Sequence, residues 1–408
     1  VSDVRPRLRP VEAFPVQHDG RRFVGLRDPA GYTASVLLLP VELTEIVRHF
    51  DGEHSIGDIQ AELMRRHGEL VARDAIRGVV AMLDEHGFME GEAFARRRDE
   101  LETSYLAAPV RPAAHAGGAY AGEAEALRQA IDGYFAPPAG PGPAGPPGTG
   151  ERLTGVIAPH IDFHRGGPAY AWAYRDVAER CDADLFVIVG TCHGGMRDPF
   201  ALTRKDYDTP FGPARVDHEF VEALAGRAAR DWFGSEVAHR SEHSIEFQTV
   251  FLQYLFAGRR DFTIVPILAS FGHEALAGGR EPEGDPDVAC FLDALAETAA
   301  TSSRRIAFIA GADLAHMGPR FGDPAPLVPA DRARVECEDR AMLTAVQAGD
   351  ARGFFAAVAG DGDRRRICGL SPIYTVLRVL GGKHGTLRHY GQTPDPECVV
   401  TFASVVFP

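Results

Sequence analysis

TGVIAPHIDFHRGG, Thr154 to Gly167, is the stretch from which the rest of the chain is read. Gly155, Val156, Ile157 and Ala158 form a short apolar run with β-branched residues, the pattern of a buried strand. Pro159 ends it, because proline lacks the amide donor that a ladder needs. His160 therefore stands at the carboxyl end of the strand, where open α/β sheets bind ligands. Leu185 to Val189, followed by Gly190, Thr191, Cys192 and His193, repeats the design. Two strand-end histidines in successive units can converge on one metal ion or substrate, although a single one is usually a structural cap.

Beyond this stretch, strands are expected at 155–158, 185–189, 262–268, 306–310, 386–391 and 399–406. Helices are expected near 168–180, 217–229, 243–256, 285–300, 330–348, 351–358 and 371–380. That alternation predicts an α/β sheet with helices on both faces. Upstream, residues 1–98 read as a separate α+β module. A hairpin with turn signals at Asp19-Gly20 and Asp28-Pro29-Ala30-Gly31 precedes three helical patterns, the second capped by Ser55. This order is winged-helix-like. Residues 99–109 read as a linker helix, and 110–408 as the α/β domain. The run APPAGPGPAGPPGTG, 136–150, is too rich in Pro and Gly for regular packing and is expected as a mobile surface loop.

Composition limits the function classes. A chain of 408 residues suits about two domains. A formal net charge of −14 argues against a general nucleic-acid or anionic-membrane binder. In the N-terminal module Arg65, Arg66 and Arg73 are offset by Asp51, Glu53, Asp58 and Glu62, so a metal-sensing DNA-binding regulator ranks low. There is no transmembrane-length apolar run and no secretory pattern at VSDVRPRLRPVEAF. The six cysteines are scattered without a CxxC pair, which suits a reducing cytoplasm.

Further positions carry chemistry. In SEHSIEFQTVFLQYLF, from Ser241, His243 and Glu246 share a face at a helix start. With Glu242 they suit ligands or acid–base groups, and equally a charged first turn. In IAFIAGADLAHMG, Asp313 and His316 follow a third strand end within one turn, the arrangement of a base and its orienting carboxylate. Cys368-Gly369 precedes a Ser371-Pro372 helix start, where a thiol is expected to have a lowered pKa and to serve as ligand or nucleophile. HAGGAY, His115 to Tyr120, reads as a turn with no evident chemistry.

HAGGAY, VIAPHIDFHRGGPAYAWAY, FVIVGTCHGG, EHSIEFQ, FTIVPILA, GADLAHMG and ICGLSPIYTVL occur in the order seen in the MEMO family, including the bacterial AmmeMemoRadiSam system protein B type. The resemblance covers roughly residues 110–408. It implies a fold like the class III extradiol dioxygenases, and places the helix at 121–135 and the Pro/Gly loop within the α/β domain. It also implies that His160, His193 and Cys368 bind the metal, with Asp313 and His316 beside it and His243 in the matching EHSIE motif. Two departures, Cys192-His193-Gly194 for Ser-His-His and Ala119 for an aromatic residue, alter the pocket wall. Two imidazoles and a thiolate with open positions suit iron(II) first, and copper or zinc as alternatives.

The expected function is non-haem redox or dioxygenase-type chemistry on a small molecule or peptide. In it His316, oriented by Asp313, and His243 act as acid–base groups. The alternative is a non-enzymatic metal-binding scaffold. Residues 40–88 also resemble the PqqD-like peptide-docking domains, which implies docking of a peptide or of a radical enzyme from the same system.

Overall fold

The computed structural model describes residues 4–33, 36–68, 70–148, 150–228 and 230–408. Residues 34 and 35 of the hairpin region, 149 of the Pro/Gly run and 229 at the end of an expected helix lie outside them. The chain forms two compact units, one of residues 1–107 with 319–324, the other of residues 108–318 with 325–408.

The first unit opens with an antiparallel meander of β1 (Glu12–His18), β2 (Arg21–Arg27) and β3 (Leu37–Pro40). Asp19 and Gly20 both have positive φ, as the Asp-Gly signal predicts for a two-residue hairpin turn. Helices α1 (Val41–Val47), α2 (Ile56–His67) and α3 (Arg73–Glu85) follow, and Ile59, Leu63, Ile76 and Leu83 meet Leu26 and Leu39 of the sheet in one core. Ser55 and Asp58 form a reciprocal capping box at the start of α2. The stretch expected as a linker helix is the second half of α4 (Glu92–Ala107), which belongs to this unit. Buried Arg9 explains why. It donates to Asp28 at 2.9 Å and lies 3.7 Å above the Phe94 ring.

The second unit runs β4 (Val110–Arg111), α5 (Ala124–Phe135), β5 (Gly155–Ala158), α6 (Phe163–Arg180), β6 (Leu185–Thr191), β7 (Phe200–Leu202), β8 (Asp206–Tyr207), α7 (His218–Arg227) and α8 (Ser244–Phe256). It continues with β9 (Thr263–Ala269), α9 (Gly272–Ala277), α10 (Pro286–Thr301), β10 (Ile306–Gly311), β11 (Asp313–Met317), α11 (Pro329–Gln347), α12 (Ala351–Ala359), α13 (Leu370–Leu380), β12 (Thr386–Gln392) and β13 (Val399–Phe407). The main sheet has the order β11-β13-β5-β10-β6-β9-β7, with β12 also on β13. Its centre, β5-β10-β6-β9, is parallel, and the outer strands are antiparallel. Such a centre needs cover on both faces. Helices α6 and α8 pack on one face, and α13, backed by α10 and α12, on the other.

Each strand expected from sequence is present, and the additional ones are short. β11 is hidden in the sequence because its DLAHM pattern is interrupted by a bulge between Asp313 and His316. Helix α6 starts five residues earlier than expected and carries Pro168 inside it. The Pro/Gly run is held along α6. Trp172 donates to Ala139 O (3.0 Å), Arg175 to Pro141 O (2.5 Å), and Gly145 N to Glu179 (2.7 Å). Side chains on one helix face thus supply the partners that a Pro/Gly backbone cannot find within itself.

Parallel register brings three strand ends level. Ala158 of β5, Gly311 of β10 and Gly190 of β6 lie in one row at the carboxyl ends of adjacent strands. On this row sits the first turn of α8. A Cβ on Gly311 would lie 2.4 Å from Ser244 O, and one on Gly190 2.3 Å from Ser244 Oγ. Only glycine permits so close an approach.

Helix α8 is buried nearly all round, Glu246 included. Arg111 of β4 makes this possible. Fully buried itself, it pairs with Glu246 and donates to His239 O (2.8 Å), Pro112 O (2.9 Å) and Glu242 O (2.6 Å). Removing one partner of such a pair leaves an uncompensated buried charge. Arg111→Met is therefore expected to destabilise the second unit by about 3–5 kcal/mol, read as a lowered urea midpoint, with Glu246→Gln similar and the double variant less than additive.

His239 accepts from Tyr207 OH (2.7 Å) and donates to Ala201 O (3.1 Å), and burial pushes its pKa down to about 3 from 6.5. The unfolded chain takes up this proton first as pH falls. The stability it contributes is therefore complete above pH 6.5 and is lost on descending towards about 3. Urea titrations across that window should show a shallower acid loss for His239→Gln than for the wild type.

Candidate metal centre

The row of strand ends puts His160 two residues past Ala158, Asp313 two past Gly311 and His193 three past Gly190. All three therefore emerge at the same edge of the sheet. His160 is buried, and its Nδ1–H donates to Gly311 O at 2.9 Å, which leaves the Nε2 lone pair for the site. His193 lies in the loop after β6. Its Nδ1–H donates to the Glu242 carboxylate at 3.0 and 3.1 Å, which fixes the orientation of the ring.

The third imidazole is His243, at the N-cap of α8, its Nδ1 3.3 Å from Glu242 Oε1. The His193 and His243 rings stack at 4.6 Å, and His160 stands edge-on to them at 4.8 and 5.3 Å. The ligating nitrogens of His160, His193 and His243 all lie within 4.8 Å of one another, a cluster able to coordinate a metal ion. The donor chemistry fits. The Nδ1–H groups of His160 and His193 are committed to a carbonyl and a carboxylate, the arrangement that orients metal-ligating imidazoles.

Glu242 is the residue whose role the sequence does not reveal. It is 4% exposed and accepts from the backbone amides of His193 (2.8 Å), His243 (2.8 Å) and Ser244 (2.9 Å) besides the imidazoles. Burial opposes its charge, but His193, His243 and these amides outweigh it and hold the carboxyl well below the usual range. HAGGAY also gains a role. His115 N donates to Glu246 Oε1 (3.0 Å), His115 Nε2 to Ser241 O (2.9 Å), and Tyr120 OH to Glu246. The motif clamps the start of α8, and the His115 ring lies 5.6 Å from that of His243.

Cys368 reaches the same place from the other face of the sheet. The segment before α13 pairs along β11, with His316 N on Arg365 O (2.7 Å), Cys368 N on Leu314 O (3.3 Å) and Gly369 N on Asp313 O (3.0 Å). Its Sγ lies 3.3 Å from His160 Nε2. The thiol differs from expectation in one respect. Burial, with Asp313 beside it, pushes its pKa well above the ordinary value, and this outweighs the helix N-terminus. Cys192 is buried too, its thiol pushed up to about 12.

Asp313 is buried, and Oδ1 accepts from the amides of His160 (3.0 Å) and Ile161 (3.3 Å), with Oδ2 3.7 Å from His160 Nε2. Burial raises its pKa to about 6. The expected single turn carrying Asp313 and His316 is instead the bulged strand β11, and His316 Nδ1–H donates to Leu314 O at 3.1 Å. Burial lowers the His316 pKa to about 4 and that of His160 to about 3, so these imidazoles are neutral near pH 7. His164 is exposed in the first turn of α6, away from these contacts. No described helix is long and apolar enough to cross a membrane.

Comparison with known proteins finds relatives matched over most of their length. A MEMO1 family protein of Aquifex aeolicus is 28% identical over 409 residues, spanning 99% of this chain and all of that one. One from Methanopyrus kandleri is 30% identical over 73% of this chain and 98% of its own length, and one from Methanococcoides burtonii 31% over 63% and 87%. The family profile described as Memo-like protein matches residues 111–406, which span β4 to β13 and every residue of the centre, and the chain belongs to that family.

Proposed function

We propose that this protein carries out non-haem, metal-dependent redox chemistry of the extradiol-dioxygenase kind on a small molecule or peptide, with His160, His193 and Cys368 holding the ion. The observation that carries the reading is the convergence of two imidazoles, fixed through Nδ1, with a thiol 3.3 Å from His160 Nε2. Iron(II) is the first candidate, with copper and zinc as alternatives, since imidazole suits all three and thiolate draws the softer ions. Iron bound there would supply one-electron and dioxygen chemistry.

The chain's own groups divide the remaining work. His316, its Nδ1–H donating to Leu314 O, acts as an acid–base group towards a substrate hydroxyl. Asp313, with a pKa of about 6, holds the backbone of His160 in place and exchanges a proton within the neutral range. His243, kept neutral by burial, serves as a second proton carrier beside Glu242. The first unit is read as a winged-helix-like, PqqD-like docking module for a peptide or a radical enzyme. In support, β3 pairs only with β2 among the described residues, and Val36 just before it and Leu38 within it are exposed.

Protein isolated without oxygen should retain stoichiometric metal, and His160→Ala and Cys368→Ala should each lose it by elemental analysis. Unchanged content in both would remove this donor set. Iron-loaded protein given catechols should consume oxygen and form ring-cleavage products, whereas metal retention with neither would favour the scaffold reading.

A further inference from the structure

We infer that the first unit carries a metal site of its own, in which His49 and His54 hold a borderline divalent ion such as zinc(II). Both residues lie within 1–107, so the site is independent of the donor set at the sheet edge.

The two histidines flank one turn. His49 follows the end of α1, and His54 stands immediately before Ser55, the N-cap of α2. Nε2 of His49 is buried and has no hydrogen-bond partner among the described residues. An unmet buried polar atom is costly, and a bound ion is one of the few ways to meet it. The His54 ring stands 5.6 Å from that of His49, at 65° to it. Two imidazoles on one tetrahedral ion, with nitrogens about 2.0–2.1 Å from it, place their ring centroids about 5.2 Å apart. The observed separation is thus close to that of a chelating pair, and comparable to the 5.3 Å between His160 and His243.

His54 is also prepared as metal-ligating imidazoles usually are. Its Nδ1–H donates to Asp51 Oδ2 at 2.7 Å, with Nε2 on the far side of the ring. Asp51 is itself held, Oδ1 accepting from the amides of Glu53 (2.8 Å) and His54 (3.0 Å). Asp51 and Glu62 lie within electrostatic reach of His49 and favour a cation there, whereas Arg48 opposes it. No third protein donor closes a triad here among the described residues, so water fills the remaining positions. Imidazole selects zinc, nickel(II) or copper(II) over the hard cations, which take oxygen ligands.

An ion held by both rings staples the connection between α1 and α2. That connection also seats residues 6–8, with Leu8 N on Phe50 O (2.7 Å) and Gly52 N on Pro6 O (2.9 Å). Metal loading therefore steadies this segment together with the turn.

Full-length wild type, His49→Gln and His54→Gln should be dialysed against micromolar zinc(II), and bound zinc counted by elemental analysis. Wild type should hold one ion more per chain than either variant, a difference that does not depend on the occupancy of the sheet-edge centre. Each substitution should weaken that ion about tenfold or more, at least the loss typical of an outer-shell change. Zinc should also slow amide exchange over residues 48–55 in the wild type, and this protection should vanish in His54→Gln. Equal zinc in wild type and His54→Gln overturns the inference, as does exchange over 48–55 that zinc leaves unchanged. The His54 side chain is 43% exposed, so its variant decides the matter even where His49→Gln fails to fold.

Discussion

A single buried carboxylate, that of Glu242, is the constraint around which the centre is built. A charge taken out of water must be met by donors, and Glu242 is met by three backbone amides and two imidazoles. Its bond to His193 fixes that ring's tautomer, and its contact with His243 turns the second ring alongside the first. The same amides include those at the start of α8, so the negative charge also complements the positive end of that helix. One side chain therefore holds the loop after β6, the first turn of α8 and the orientation of a potential ligand together.

Bringing that helix end to the strand ends has costs that the chain meets elsewhere. The glycine row removes the side chains that would keep α8 away from the sheet. Glu246, buried by the approach, is compensated by Arg111, Tyr120 and the amide of His115. Gln248, one turn on, donates to Pro159 O at 2.7 Å and accepts from Tyr174 OH at 2.9 Å, tying the helix to the end of β5. Such a fully satisfied polar cluster rigidifies its surroundings, whereas a partly satisfied one would be worse than an apolar core. A rigid frame is what a metal centre requires, because ligating atoms must be held before the ion arrives.

On the opposite face the device is different. There the backbone itself does the positioning, as the segment 365–369 runs along β11 and sets Cys368 beside Asp313. Arg365 anchors the segment through a buried pair with Asp339, whose Oδ2 also accepts from Tyr390 (3.0 Å) and Thr401. The centre is thus held from both faces by independent buried ion pairs.

Much of this is legible in the residues. Apolar β-branched runs mark the central strands, because burial on both faces demands them. Their carboxyl ends mark His160, His193 and Asp313, because side chains just past a parallel strand face the ligand edge. Local pattern thus suffices for the sheet, its helices and the edge where chemistry gathers. Which residues meet at that edge depends on long-range packing. Strand order sets β10 between β5 and β6, and register aligns Ala158, Gly311 and Gly190. Arg111 and Glu246 are 135 positions apart, and His115 and Ser241 are 126 apart. No local pattern encodes such pairings. They exist because buried charges must find partners, and the fold determines which partners are near.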